Sequence, residues 1–273
     1  RVKDAFAADY WQGRTPNPCI ACNKHLKFDA MLKKAELLGA DYVATGHYAS
    51  VVKYGDRYAI KKGADERKDQ SYVLYRLSQE ILSHLLTPLS DYQKTDVRAL
   101  AANEGLAAAD REESMEICFL PDGNYPAYIA ERFGAPPEGD FVATDGRVLG
   151  RHRGILHYTV GQRKGLGIAL GERMFVSHIN PQDNTVTLSR DAERGTTRFS
   201  VCEPVFSGIA PQREGVGRYT VKLRYLAPPV PVTVTFEEGR ISAVLDEPVS
   251  AVTPGQSAVF YDGERVAFGG FIE

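Results

Sequence analysis

The chain has 273 residues, 43% hydrophobic and 25% charged, the balance of a protein with a packed core; a chain of that length predicts two or three domains. The formal net charge of −2 gives no global signature of nucleic-acid binding, and the absence of any run of about 18 apolar residues argues against a membrane-spanning helix. Four cysteines without a secretory leader exclude a disulfide scaffold and point to thiols of the cytoplasm, catalytic, metal-binding or buried.

The N-terminus, "RVKDAFAADYW", lacks the apolar core of a signal peptide and begins with Arg, as a processed or truncated chain would. Next comes "GRTPNPCIACNKHLKF" (13–28), where Cys19 and Cys22 stand three apart behind a Pro-Asn-Pro turn. Pro16 and Pro18 restrict the backbone entering Cys19. Zinc needs two close pairs of ligands; Cys118 and Cys202 are single and distant, so a thiol site fits better. Lys24, His25 and Lys27 are placed to favour a thiolate at Cys22, the form that attacks electrophiles.

Phe28, Met31, Leu32, Ala35 and Leu38 recur at helical spacing, with Gly39 as terminator. The apolar run in "ADYVATGHYA" then breaks at Gly46 and His47, the strand-to-turn rhythm of an α/β sheet, whose ligands gather at strand carboxyl ends; the bland alternative is a structural histidine. In "RKDQSYVLY" (67–75), Lys68, Asp69 and Gln70 precede a helix expected over 71–86. Asp69 and Ser71 either cap that helix, or Lys68 and Gln70 reach a phosphate or base. A second helix is expected over 95–106, stopped by Gly105, and the Gly- and Pro-rich stretch 121–150 reads as loops with short elements.

Cys118, between Ile117 and Phe119 in "ESMEICFLPDG", has the neighbours of an inert buried thiol, and Cys202 reads the same way. Gly146 to Gly171 holds Arg147, Arg151, Arg153, Arg163 and Lys164 without one acid, a stretch suited to phosphates or to a merely solvated surface. Its part "HRGILHYTVGQRKGLGIALG" (152–171) has the glycines of a tight hairpin or of a backbone approaching phosphate and sugar. After about residue 195 the period becomes two: Tyr219, Val221, Leu223 and Tyr225 alternate with polar residues, as do Val230, Val232, Val234 and Phe236, and "SAVFYD" and "RVAFGGFI" add strands. That pattern predicts a small all-β domain, most simply a barrel.

Six of these stretches, "GRTPNPCIACNKHLKFDAML", "LGADYVATGHYA", "KDQSYVLY", "SMEICF", "YTVGQRKGLGI" and "TPGQSAVFYDGE", resemble in order and spacing the tRNA-specific 2-thiouridylases. The resemblance spans nearly the whole chain. It implies a fold of α/β plus all-β class: part of a nucleotide-binding domain of the adenine-nucleotide α-hydrolase type over 1–84, a small central domain over 85–194, and a C-terminal β-barrel over 195–273. It also implies an activity, replacement of the 2-oxygen of a wobble uridine by sulfur after adenylation by ATP, with magnesium. A cysteine persulfide on Cys118 would deliver the sulfur, and Cys22 would release it through attack or a transient disulfide. Cys19 would share the catalytic face. Asn17, Pro18 and Cys19 match the contact to the target base, and Gly46 an ATP-contacting position. His47, Lys68, Asp69, Gln70, Arg224, Tyr225 and Gln256 match tRNA contacts. A sulfur-donor protein, such as a cysteine desulfurase or a sulfur relay protein, is the implied partner, and no membrane is.

Two features depart from that family. Its Ser-Gly-Gly-x-Asp-Ser loop for ATP pyrophosphate is missing from this sequence, which makes a tRNA-binding module without catalysis one alternative. Cys19 stands where some members carry an aspartate, and a thiol of pKa about 8.5 is a poorer acid–base group near neutrality. Cys19, Cys22 and Cys118 could instead hold an iron–sulfur cluster, a second route to thiolation, or serve a metal structurally.

Overall fold

A computed structural model describes residues 2–107, 109, 117–120, 122–190, 195–250 and 252–273. Helix α1 (Val2–Trp11) buries Val2, Phe6 and Ala7. After the proline turn, α2 (Pro18–Cys22) runs without a break into a π-helical stretch (Asn23–Phe28) and then α3 (Asp29–Leu37), with Gly39 in the left-handed region (φ +69) just beyond. Phe28, Leu32 and Ala35 are buried as the helical spacing requires, but Met31 and Leu38 are 40% and 70% exposed. Both lie on one margin of the apolar stripe, which no described residue covers.

Strand β1 (Val43–Ala44) leads to a hairpin, β2 (Ala49–Tyr54) and β3 (Arg57–Lys62). The helix expected over 71–86 is interrupted. It divides into α4 (Ser71–Leu74), α5 (Gln79–Ser83) and β4 (Leu85–Leu86). Ser78 is the cause: extended at ψ 162, it accepts a hydrogen bond from the Ile81 amide at 3.2 Å and starts a new helix. The chain then reaches β1, which β4 joins in parallel, Val43 opposite Leu85. Helix α6 (Lys94–Asn103) follows, with Gly105 (φ +67) beyond its end.

Within the stretch expected to be loops lies α7 (Tyr125–Phe133). Its Asn124 side chain accepts from the Ala127 amide, Pro126 sits in its first turn, and Gly134 (φ +84) follows it, so here Pro and Gly bound a helix. The central sheet comprises β5 (Gly139–Ala143), β6 (Val148–His152), β7 (Met174–Asn180) and β8 (Thr185–Arg190), in the order β6-β5-β8-β7. Phe141, Val176, Val186 and Leu188 make its core together with Tyr158, Val160 and Leu166 from the glycine-rich loop. That loop is irregular, with a single 3₁₀ turn at Ile155–His157, so it is not the strand hairpin its glycines allowed.

The remainder is a closed barrel of β9 (Gly195–Val205), β10 (Glu214–Lys222), β11 (Val230–Glu237), β12 (Arg240–Ser250), β13 (Ser257–Asp262) and β14 (Arg265–Ile272). The ring runs β13-β10-β11-β12-β9-β14 and closes through β13–β14. Val221, Val232, Val234, Phe236, Phe260 and Phe268 fill it, and the Phe260 and Phe268 rings stack at 4.3 Å. Strand β13 is buried on both faces. Ala258 and Phe260 point into the barrel, while Val259 and Tyr261 join a second core with Tyr72, Leu74, Tyr75 and Ile60. Gly269 permits that union, since a Cβ there would stand 2.6 Å from the Tyr75 ring. The barrel's outer wall is thus the floor of the α/β segment.

Candidate active site and nucleic-acid interface

The Pro-Asn-Pro turn is a helix start. Asn17, extended at φ −103, accepts a hydrogen bond from the Cys19 amide at 3.1 Å, and Pro18 occupies the first helical position, where a missing N–H costs nothing. Three-residue spacing then puts Cys19 and Cys22 on the same side of α2. Cys19 is exposed and Cys22 half-buried, whereas Ile20 and Asn23 point into the core. The Asn23 amide nitrogen donates to the Val73 carbonyl at 3.0 Å, which ties this turn to α4.

Cys118 is exposed, so the reading of an inert buried thiol is overturned for it. It lies at the tip of a turn closed by the Leu120 amide donating to the Ile117 carbonyl at 2.7 Å. Ser114, Met115 and Glu116, which carry the start of the matching stretch, lie outside the described residues. Partial burial pushes the Cys19 thiol up. Lys27 pulls it down, and Cys118 and Cys22 add repulsion, which places all three sulfurs in one electrostatic neighbourhood. Lys27 is the cation that acts on Cys19. Lys24 and His25 line a cavity of about 760 Å³ with Arg14, Arg76, Cys202 and Phe271. All four cysteines are free thiols.

Among the described residues no three His, Cys, Asp or Glu side chains converge as metal ligands, Cys19, Cys22 and Cys118 included.

Gly46 and His47 follow the carboxyl end of β1. The His47 Nδ1 lies 3.0 Å from the Thr45 hydroxyl, and its ring packs 5.5 Å from that of Phe28. Burial, assisted by the Lys27 charge, lowers its pKa from 6.5 to about 4. His47 should therefore meet any partner as a neutral imidazole. Because the unfolded chain binds more protons between about pH 4 and 6.5, stability should climb with pH across that window by about 3 kcal/mol. An NMR titration checks this, and a His47 midpoint near 6.5 contradicts it.

The residues after Arg67 divide. Lys68 is half-buried on the rim of a cleft with Arg67, Lys94 and Arg98. Asp69 is 6% exposed, and its carboxylate accepts from the Ser71 amide at 3.0 Å, the Ser71 hydroxyl at 2.8 Å and the Gly63 amide at 3.3 Å. These bonds hold the turn that leads into α4. The Gln70 side-chain carbonyl accepts from the Tyr48 amide at 2.9 Å, so half of that group is spoken for.

On the barrel, Arg224 donates to the Val160 carbonyl at 3.0 Å and to the Thr253 hydroxyl at 2.9 Å, bridging the glycine-rich loop and the barrel. Gln256, 8% exposed, donates to the Thr15 carbonyl ahead of Pro16. Tyr225 packs 6.0 Å from Tyr72. These matched positions lie along the seams between modules rather than in open solvent, Gln256 against the turn that precedes Asn17. Within the basic stretch, Arg151 is paired with Asp140 at 2.9 Å, while Arg147, Arg153, Arg163 and Lys164 are exposed. Lys222 was not among the expected residues. It is 12% exposed and sits 3.9 Å from Asp69, at a position whose strand alternation reads as an ordinary outward polar residue.

No helix among the described residues is long and apolar enough to cross a membrane. Residues 1–122 match a family model described as a tRNA methyl transferase HUP domain, 127–190 a tRNA methyl transferase PRC-barrel domain, and 196–272 an aminomethyltransferase beta-barrel domain. Over its whole length the chain is 45% identical to a tRNA-specific 2-thiouridylase MnmA of Clostridium beijerinckii, covering 76% of that protein. It is 46% identical to proteins of the same name from Acetivibrio thermocellus, covering 77%, and Carboxydothermus hydrogenoformans, covering 76%.

Proposed function

The chain belongs to the tRNA-specific 2-thiouridylase family, and from that premise we propose that it transfers sulfur to the 2-position of a wobble uridine in tRNA through a persulfide on Cys118. It is an enzyme, a sulfurtransferase acting on tRNA. The observation that carries the finer reading is the exposed Cys118 thiol in the same electrostatic neighbourhood as Cys19 and Cys22. The matching descriptions name methyl transfer and thiolation, and thiolation is the reading that gives the thiols of Cys19, Cys22 and Cys118 a task.

The chemistry follows from the leaving group. A uridine 2-oxygen does not leave unaided; its attack on the α-phosphorus of ATP would expel pyrophosphate and convert it to an AMP ester, with magnesium supplying charge neutralisation. The terminal sulfur of Cys118–S–S⁻ then attacks C2, and the C2–O bond breaks with AMP as leaving group. The Cys22 thiolate next attacks the Cys118 sulfur and breaks the S–S bond. The electron pair passes to the sulfur left on C2, and a Cys22–Cys118 disulfide forms, to be reduced by an external thiol. Sulfane sulfur needs a thiolate carrier, which no hydroxyl replaces. Cys19, with its pKa raised, is a protonated thiol near neutrality and is suited to hydrogen bonding beside the base rather than to attack.

The exposed bases Arg147, Arg153, Arg163 and Lys164 would take tRNA phosphates. The target uridine would be everted towards Asn17, Pro18 and Cys19. Lys68, His47 and Tyr225 would contribute contacts nearby, Gly46 would lie against the nucleotide, and Arg224, Gln70 and Gln256 would line the tRNA path at the seams they hold together. A cysteine desulfurase or a sulfur relay protein would load Cys118, in the cytoplasm where tRNA is found.

The test supplies the chain with tRNA, magnesium, ATP, cysteine and a cysteine desulfurase, and measures 2-thiouridine in the digested tRNA together with sulfur on the Cys118 peptide. Both should rise. Tight tRNA binding with neither product would leave a binding module and overturn the proposal.

A further inference from the structure

Phe119 follows Cys118 directly, and the turn that contains both points them in opposite directions: the Cys118 residue is exposed, while the Phe119 ring is packed inward. That ring meets Phe6 of α1 edge-on at 5.4 Å and 87°, and Tyr128 of α7 at 5.8 Å. The Lys3 ammonium lies 5.6 Å from its centroid. Phe6 is itself 2% exposed and is clasped by Tyr10 at 4.9 Å, so the surface that receives Phe119 is closely packed. Leu120, 5% exposed, closes the same turn from the other side. Helix α1 also packs against α2, which carries Cys19 and Cys22. One helix is therefore in contact with both halves of the thiol site.

We propose that Phe119 is a positioning residue: its ring, docked on Phe6 and Tyr128, holds the Cys118 thiol beside Cys19 and Cys22. The proposal rests on the reading of Cys118 as the sulfur carrier, but its geometry can be measured without sulfur transfer. A turn of a few residues is set by its own hydrogen bond only locally; its placement against α2 has to come from packing, and here that packing is aromatic. Edge-to-face pairs favour perpendicular rings over other apolar contacts, and a cation over the ring adds to the preference. Leucine would fill the space without either term. Tyrosine would keep both.

The experiment measures how close the two thiols are held. In the chain carrying Cys22→Ser and Cys202→Ser, leaving Cys19 and Cys118, the protein is equilibrated with oxidised and reduced glutathione. Each disulfide formed consumes one oxidised glutathione and releases two reduced molecules, and the equilibrium constant gives the effective concentration of one thiol at the other. Phe119→Ala should lower that constant about tenfold, Phe119→Leu by a lesser factor, and Phe119→Tyr hardly at all. A merely structural role would instead lower the melting temperature and leave the constant where it was. An unchanged constant in Phe119→Ala, or an equal fall in Phe119→Tyr, overturns the proposal. Should Phe119→Ala fail to fold, Phe119→Leu decides by the same constant. If Cys118 never takes sulfur from a desulfurase, the carrier reading fails while the anchoring result stands on its own.

Discussion

Cys118→Ser should abolish 2-thiouridine formation while tRNA affinity stays within about twofold of the parent. The substitution removes one kind of atom and little else. Serine keeps the size and exposure of the side chain, and the turn closed by Ile117 and Leu120 does not use the sulfur. What serine cannot do is carry a sulfur atom at the oxidation level of a persulfide, because an oxygen–sulfur analogue is neither formed by the donor nor opened by a thiolate. The loss should therefore be a loss of turnover, not of binding, and should appear first as an absence of sulfur on the protein. Cys22→Ser is the informative partner. It should still accept sulfur on Cys118 but stall before release, since the thiolate that opens the S–S bond is gone. Cys202→Ser should retain activity, because Cys202 sits in the barrel beside Glu203 and Glu273, whose charges add to burial in holding its thiol up. A Cys118→Ser protein that thiolates tRNA at the parent rate would end the assignment.

The sequence made the barrel legible, since Val230, Val232, Val234 and Phe236 alternate and are half-buried or buried at the spacing two faces demand. The thiol site was legible in part. Cys19 and Cys22 share a face because a proline turn starts a helix, and both facts can be read from residues 13 to 28. Cys118 was singled out by the resemblance alone; its exposure was not legible, because Ile117 and Phe119 look like core neighbours until the turn is seen to point one side chain in and the next out. Polar residues misled for a related reason. On an isolated barrel, Lys222 and Arg224 would face water; here the outer wall is a floor for other modules, so the same alternation puts Lys222 against Asp69 and Arg224 against Val160. Strand periodicity reports which residues share a face. It does not report what covers that face.

Asp69→Ala should cost about 3–5 kcal/mol of stability, the usual penalty for stripping a buried charge of its partner. Asp69 takes three donors from its own segment, the Ser71 amide and hydroxyl and the Gly63 amide, and faces the Lys222 ammonium across the seam to β10. Alanine would leave those donors unmet and Lys222 12% exposed without the carboxylate. The reverse change should be milder. Lys222→Met removes a partner at 3.9 Å, the longest of the carboxylate's contacts, and leaves Asp69 its three hydrogen bonds, so a loss of about 1–2 kcal/mol is expected. Burial lowers the Lys222 pKa against the pull of Asp69. The unfolded chain therefore binds more protons between that lowered value and 10.5, stability rises with pH through the window, and Lys222→Met should flatten the rise. Urea denaturation of both variants decides the matter. If Asp69→Ala loses less than about 1 kcal/mol, the seam is not held by this carboxylate. If it keeps its stability but binds tRNA more weakly, Asp69 is reaching RNA after all and the structural role fails.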